Sequence, residues 1–214
     1  MPAIIPGWVH RPGAHCASTA ISDVMTFLGH PLSEALCFGL GCGLGFAYFE
    51  HPAMTPTKMT ATRSRVLESR FFETVGHPFA FVAEKDRGRA LETAKQLIRE
   101  NIPVLLRADI AHLPYYNSKT HFPPHIIALW GFDDEKGAAL ITDTGYPGLQ
   151  EVPYPDFEAA RYGGNAYIQN QAEHFPVRGP QALPDLVGAV RRALAQHGKD
   201  LSGLAIEIPA LFGF

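Results

Sequence analysis

Two β-rich runs, IIALWGF at residues 126–132 and AALIT at residues 138–142, stand on either side of the polar, glycine-ended stretch DDEKG. Apolar β-formers broken by a short turn-forming segment predict a β-hairpin. A hairpin brings together residues that lie equally far from its turn. His125 immediately precedes the first run and Asp143 immediately follows the second, with Asp134 midway between them. The two side chains are therefore predicted neighbours at the open end of the hairpin, to within the couple of residues by which the turn type slides the register. A histidine with a carboxylate to orient it is the core of a general acid–base site.

The chain also holds a candidate nucleophile. Residues 13–31 read GAHCASTAISDVMTFLGHP, in which Ala17, Ala20, Ile21, Val24 and Leu28 recur at three- and four-residue steps and Gly29 and Pro31 end the pattern. That periodicity predicts a helix with one buried face and places Cys16 in its first turn. Unpaired N–H groups and the positive end of the helix dipole favour thiolate over thiol at such a position. Nucleophilic acyl chemistry needs a thiolate, a base and a group that fixes the base, and Cys16, His125 and Asp143 supply those three types. Cys37 and Cys42 sit in apolar or glycine-rich surroundings and read as core. Close Cys or His pairs of the kind that hold structural zinc are missing, so the expectation is no metal and no cofactor.

Elsewhere the reading is coarser. Ser33 is placed to cap a short helix through Cys37 and Phe38, followed by glycines at 39, 41, 43 and 45 in period two; without a G-x-G-x-x-G or GK[ST] pattern these read as close packing rather than a phosphate loop. Residues 51–65 read as loop. Leu91, Ala94, Leu97 and Ile98 predict a helix ending near Asn101, and residues 103–108 (PVLLRA) a strand. A last helix is expected around Leu186, Val187, Val190 and Leu194, ended by Gly198; the apolar run LAIEIPALFGF at 204–214 is expected to dock or to begin a further segment. The domain reading is residues 1–175 for the catalytic unit and 176–214 for a helical extension.

With 46% hydrophobic and 18% charged residues the chain can bury a core, and a net charge of -3 supplies no basic field for nucleic acid or anionic lipid. The N-terminus lacks a basic region before its apolar residues, no apolar run approaches a membrane span, and three cysteines cannot all pair, which together suggest a cytoplasmic protein with no membrane or nucleic-acid partner.

The order Cys, His, Asp, with the cysteine on a helix and the histidine on a following sheet, resembles that of papain-like enzymes. More specifically, HCASTAISDVMTFLGHPLSEALCFGLGCGLGF, PVLLRADIAHLPYY and HIIALWGFDDEKGAALITDTG resemble the N-terminal domain of the butirosin-biosynthesis H-type acyltransferases, over most of residues 8–160. The resemblance implies an α+β, papain-like fold with the Cys-bearing helix packed on an antiparallel sheet carrying His and Asp. It implies transfer of an acyl group from an acyl carrier protein thioester to a small-molecule amine, with Cys16 as nucleophile, His125 as base and Asp143 as its orienter. A peptidase or amidase of the same fold and a catalytically silent binding domain are the alternatives. Papain-like enzymes commonly place an oxyanion-donating glutamine six residues before the cysteine; here His10 stands there and is the oxyanion candidate. His15, Tyr115 and Tyr116 are candidates for the substrate cleft.

Overall fold

A computed structural model of the chain describes residues 1–50, 52, 57–165 and 168–202. In chain order the elements are β1 (Ala3–Ile4), α1 (Cys16–Phe27), α2 (Glu34–Leu40), β2 (Leu44–Glu50), β3 (Lys58–Arg63), α3 (Leu67–Thr74), α4 (Arg87–Arg99), β4 (Val104–Ala108), β5 (His125–Asp133), β6 (Ala138–Thr142), β7 (Gln150–Pro153), α5 (Tyr154–Tyr162), β8 (His174–Pro176) and α6 (Leu186–Ser202). Two 3-10 turns, Ile110–His112 and Pro114–Tyr116, lie between β4 and β5. This is an α+β arrangement around an antiparallel sheet.

The main sheet runs β7-β6-β5-β4-β8, with β1 added to β5, and a separate hairpin joins β2 to β3. Strands buried on both faces read as continuous apolar runs, and β5 and β6 are of that kind. Side chains alternate across the pleat. Leu105, Ile126 and Ala128 join one core with Ile21, Val24 and Met25 of α1, Cys37 of α2 and Phe71 of α3. Val104, Leu106, Ile127, Leu129 and Ile141 join a second core with Ala94 and Ile98 of α4 and Phe157 of α5. The sheet is thus a slab between two helical layers, and its ends rather than its faces are left for chemistry.

The β5–β6 hairpin forms as expected, with a register shift between Leu129 and Gly131. Ala128 pairs with Thr142, so the register continued would set Asp143 across from Ile127, diagonal to His125 and on its side of the pleat. The helix predicted from Ala17 begins at Cys16, Ser33 caps α2 by accepting from the Leu36 N–H, and α4 closes on Asn101 in the left-handed region.

Three expectations are corrected. Lys58–Arg63, within the stretch read as loop, is strand β3; its described side chains are mostly exposed, so no buried face imposes an alternation that could be read. The period-two glycine stretch is a helix end followed by a strand, since Gly39 and Leu40 belong to α2 and β2 starts at Leu44. Gly198 does not end the last helix, which continues to Ser202. An interior glycine costs about 1 kcal/mol, and here burial of Ala189 and Ala193, with the His197 ring accepting from the Leu44 N–H at 3.1 Å, offsets it. The expected domain boundary after residue 175 falls inside β8, and Val177, Ala189 and Ala193 share the core of α1. The apolar run 204–214 lies outside the described residues. Among the described residues no helix is long and apolar enough to cross a membrane.

Candidate active site

Cys16 is the first residue of α1, half-buried, with His15 as N-cap in extended backbone. The loop before it is clamped by one carboxylate. Glu34, at the start of α2, accepts from the His15 N–H at 2.7 Å, the Ala14 N–H at 3.0 Å and the Thr19 and Ser18 hydroxyls at 3.1 and 3.2 Å. Burial works against the Glu34 charge, but these donors win and hold its carboxyl below the usual range. Gly13 is a point of close approach, because a Cβ there would overlap the Thr19 hydroxyl and the Glu34 carboxylate. Its N–H donates to the Thr144 carbonyl at 2.8 Å, which ties the cysteine loop to the residue after Asp143.

His125, the first residue of β5, is buried, and its Nε2 lies 2.8 and 2.9 Å from the two oxygens of Asp143, which is 1% exposed. Asp143 also accepts from the Tyr115 hydroxyl at 2.6 Å and the Thr144 hydroxyl at 2.8 Å. Burial opposes charge on the His125 ring. Hydrogen bonds and charge interactions with Asp143 and Cys16 overcome it and raise the ring to about 10. With Nε2 engaged by Asp143, Nδ1 is the nitrogen left for the thiol. His125 stands at the end of the sheet, as the first residue of β5, and Cys16 at the start of α1. Pleat alternation would turn residue 125 toward the face of Ile127, away from α1, and only a first strand residue beside a helix N-terminus escapes that assignment.

Tyr115 and Tyr116 both reach this cluster. The Tyr116 hydroxyl lies 3.3 Å from His125 Nε2, and Tyr146 packs against both tyrosine rings, 4.7 Å from Tyr115 and 5.1 Å from Tyr116 between centroids. Burial, then the Asp143 charge, pushes both hydroxyls far above the ordinary tyrosine range, so they act as fixed donors. His15 is held neutral: burial, then the charge of Arg63, lowers it to about 4, and its Nδ1 accepts from the Ser18 N–H. It is a helix cap beside the thiol.

His10 takes a different place from the one its position before Cys16 suggests. Its Nδ1 lies 2.5 Å from Asp23 Oδ2 and its Nε2 3.0 Å from the Tyr146 carbonyl. Despite burial, Asp23 and that carbonyl raise its pKa, as expected for a ring donating from both nitrogens. No N–H of His10 remains for an oxyanion. It braces α1, through Asp23, against the segment that follows Asp143, and Asp23 also accepts from the Thr142 hydroxyl at 3.3 Å. Asp23 was legible as an anomaly, a carboxylate two turns after Cys16 on a buried helical face; Glu34, Thr144 and Tyr146 carried no comparable signal.

The family model described as Butirosin biosynthesis protein H, N-terminal, matches residues 15–144, more than half of the chain. The chain belongs to this family. The match starts at the residue that caps the Cys16 helix and ends at the residue after Asp143, so Cys16, Tyr115, Tyr116, His125 and Asp143 all fall within it while His10 and Tyr146 lie outside. Among curated proteins none matches the chain.

Proposed function

We propose that the protein is a papain-like cysteine acyltransferase of natural-product biosynthesis, moving an acyl group from a carrier-protein thioester to an amine. The observation that carries the reading is the His125 ring, buried and bound through Nε2 to the Asp143 carboxylate, with its pKa raised by Asp143 and then by Cys16. Membership of a family named for butirosin biosynthesis supports the setting.

In this reading the Cys16 thiolate attacks the thioester carbonyl, and the tetrahedral oxyanion is met by the Cys16 and Ala17 N–H groups, which at the start of a helix have no acceptor inside it. Collapse breaks the carbon–sulfur bond to the carrier, whose thiolate takes the proton from His125 Nδ1. The acceptor amine then attacks the Cys16 acyl group while the now neutral Nδ1 removes its proton, and the amide leaves as the thiolate–imidazolium pair is restored. Asp143 holds the ring and its positive charge throughout. Tyr115 and Tyr116 fix the carboxylate and wall the cleft.

Intact-mass analysis after addition of acyl-N-acetylcysteamine thioesters tests this directly. Wild type should gain one acyl mass on Cys16 and transfer it to an added amine. An adduct that forms equally in Cys16→Ala refutes the assignment, and an adduct released only to water makes the enzyme a hydrolase.

A further inference from the structure

Between β4 and β5 a second cluster of chemical groups lies apart from Cys16. Asp109, directly after β4, has 0% exposure, and its carboxylate is held rigidly. Oδ1 accepts from the Phe122 N–H at 2.9 Å and the Ala111 N–H at 3.2 Å, and Oδ2 faces His121 Nδ1 at 2.7 Å. His112, at the end of the first 3-10 turn, brings a second imidazole, with its ring centroid 5.6 Å from that of His121. One donor atom from each of the three residues can be chosen so that all lie within 4.8 Å of one another. Gly163 backs the cluster: a Cβ there would overlap both the Asp109 carboxylate and the His112 ring. An Asp that only caps a turn needs one or two backbone donors; one imidazole bonded to its remaining oxygen and a second with a ring nitrogen within 4.8 Å make a donor set suited to a metal.

The geometry points to a site for one zinc-class divalent ion held by Asp109, His112 and His121. Two imidazoles and a carboxylate favour a first-row transition ion over calcium or magnesium, and three protein ligands leave a position for water. Bonds of about 2.0–2.2 Å set tetrahedral donors about 3.4 Å apart, so His121 Nδ1 moves off Asp109 Oδ2 from 2.7 Å and His112 draws in, which rotation of the exposed His121 side chain allows. The ion takes the place of the proton between His121 Nδ1 and Asp109 Oδ2; the neutral ring carries its proton on Nε2 and offers the Nδ1 lone pair, so no other reactant is needed. The consequence is a staple at the base of the loop that carries Tyr115 and Tyr116 to Asp143 and His125. The inference stands whether or not the chain is an acyltransferase.

The test is titration of the chelator-treated full chain with Zn²⁺ by calorimetry and with Co²⁺ by absorption. One equivalent should bind, and the cobalt form should show visible d–d bands without a thiolate charge-transfer band. His112→Ala and His121→Ala should each weaken binding by at least about 10-fold, in line with losses seen even for outer-shell partners, while Cys16→Ala leaves it unchanged. His121 is exposed, so its variant tests the site without unfolding the chain; matching circular dichroism spectra in chelator establish that. The proposal is overturned by an absence of saturable binding below about 100 μM, by binding that survives both histidine variants, or by binding lost in Cys16→Ala.

Discussion

Asp143→Asn keeps the shape of the buried carboxylate and removes its charge and one acceptor. In the native site both oxygens face His125 Nε2, at 2.8 and 2.9 Å. Against the pull of burial, Asp143 and Cys16 together raise the ring from 6.5 to about 10. At about 1.4 kcal/mol per pH unit, that corresponds to roughly 5 kcal/mol in favour of the imidazolium. Loss of the carboxylate charge removes Asp143's part of this, on the order of a few kcal/mol, and burial then drives the ring pKa down. A loss of that size corresponds to a rate lower by about 10²-fold, the gentle end of the roughly 10² to 10⁴ expected for an orienting carboxylate. The assay is paired: an NMR titration of the His125 ring and the rate of acyl-adduct formation at neutral pH. For a group whose folded pKa is raised, the stabilisation is complete below its unfolded value of about 6.5 and is lost as pH rises through the folded value. In wild type the loss therefore centres near pH 10, and in the variant it moves to lower pH and shrinks. Superimposable ring titrations and equal rates in the two proteins would refute the argument.

Three further outcomes follow from the same contacts. Tyr115→Phe removes a 2.6 Å donor from a buried carboxylate; urea unfolding should show a loss of about 1.5–3 kcal/mol and the Asp143 pKa should rise. Glu34→Gln should lower stability at neutral pH by about 1–2 kcal/mol. Because the Glu34 carboxyl is depressed, its contribution is present above about pH 4.3 and is lost as pH falls through the folded value, so the acid limb of the variant's stability curve should be flatter. Cys37→Ala and Cys42→Ala should change unfolding free energy by about 1 kcal/mol and leave adduct formation intact, since both thiols are buried and burial pushes Cys37 up to about 12.

The parts of the fold legible in the chain were those with a one-sided or two-sided apolar signal. α4 shows helical periodicity because it buries one face, α1 because its apolar residues share one face while its buried Ser18, Thr19, Ser22 and Asp23 share the other, and β5 and β6 show unbroken apolar runs because both faces are covered. Strand β3 was hidden because its exposed residues obey no burial pattern, and α3 and α5 were hidden because helices of 8 and 9 residues are too short for three- and four-residue steps to recur. Within the site, hairpin arithmetic brought His125 and Asp143 together because ladder geometry is local. It did not foresee that the pair is diagonal: Asp133 pairs with Ala138, which centres the turn beyond Asp134, and the register shift between Leu129 and Gly131 then sets Asp143 on His125's side of the pleat.

What the sequence by itself determined, then, is the set of groups and their local frames: a thiol in a first helical turn, and a histidine and a carboxylate at the open end of one hairpin. Backbone hydrogen bonding and side-chain periodicity act over a few residues and leave their mark on neighbouring letters. Only the tertiary structure decided how those frames meet. The Gly13 bond to Thr144, the Glu34 clamp on the loop before Cys16 and the brace of His10 on Asp23 and Tyr146 join residues between 13 and 136 positions apart. They form because packing of two helical layers on one sheet brings their backbones within reach, and no local pattern encodes that. The same packing moved His10 from an oxyanion donor to a brace and brought His121 onto a buried aspartate beside His112, since a buried polar group takes whichever partner the fold sets within hydrogen-bonding distance.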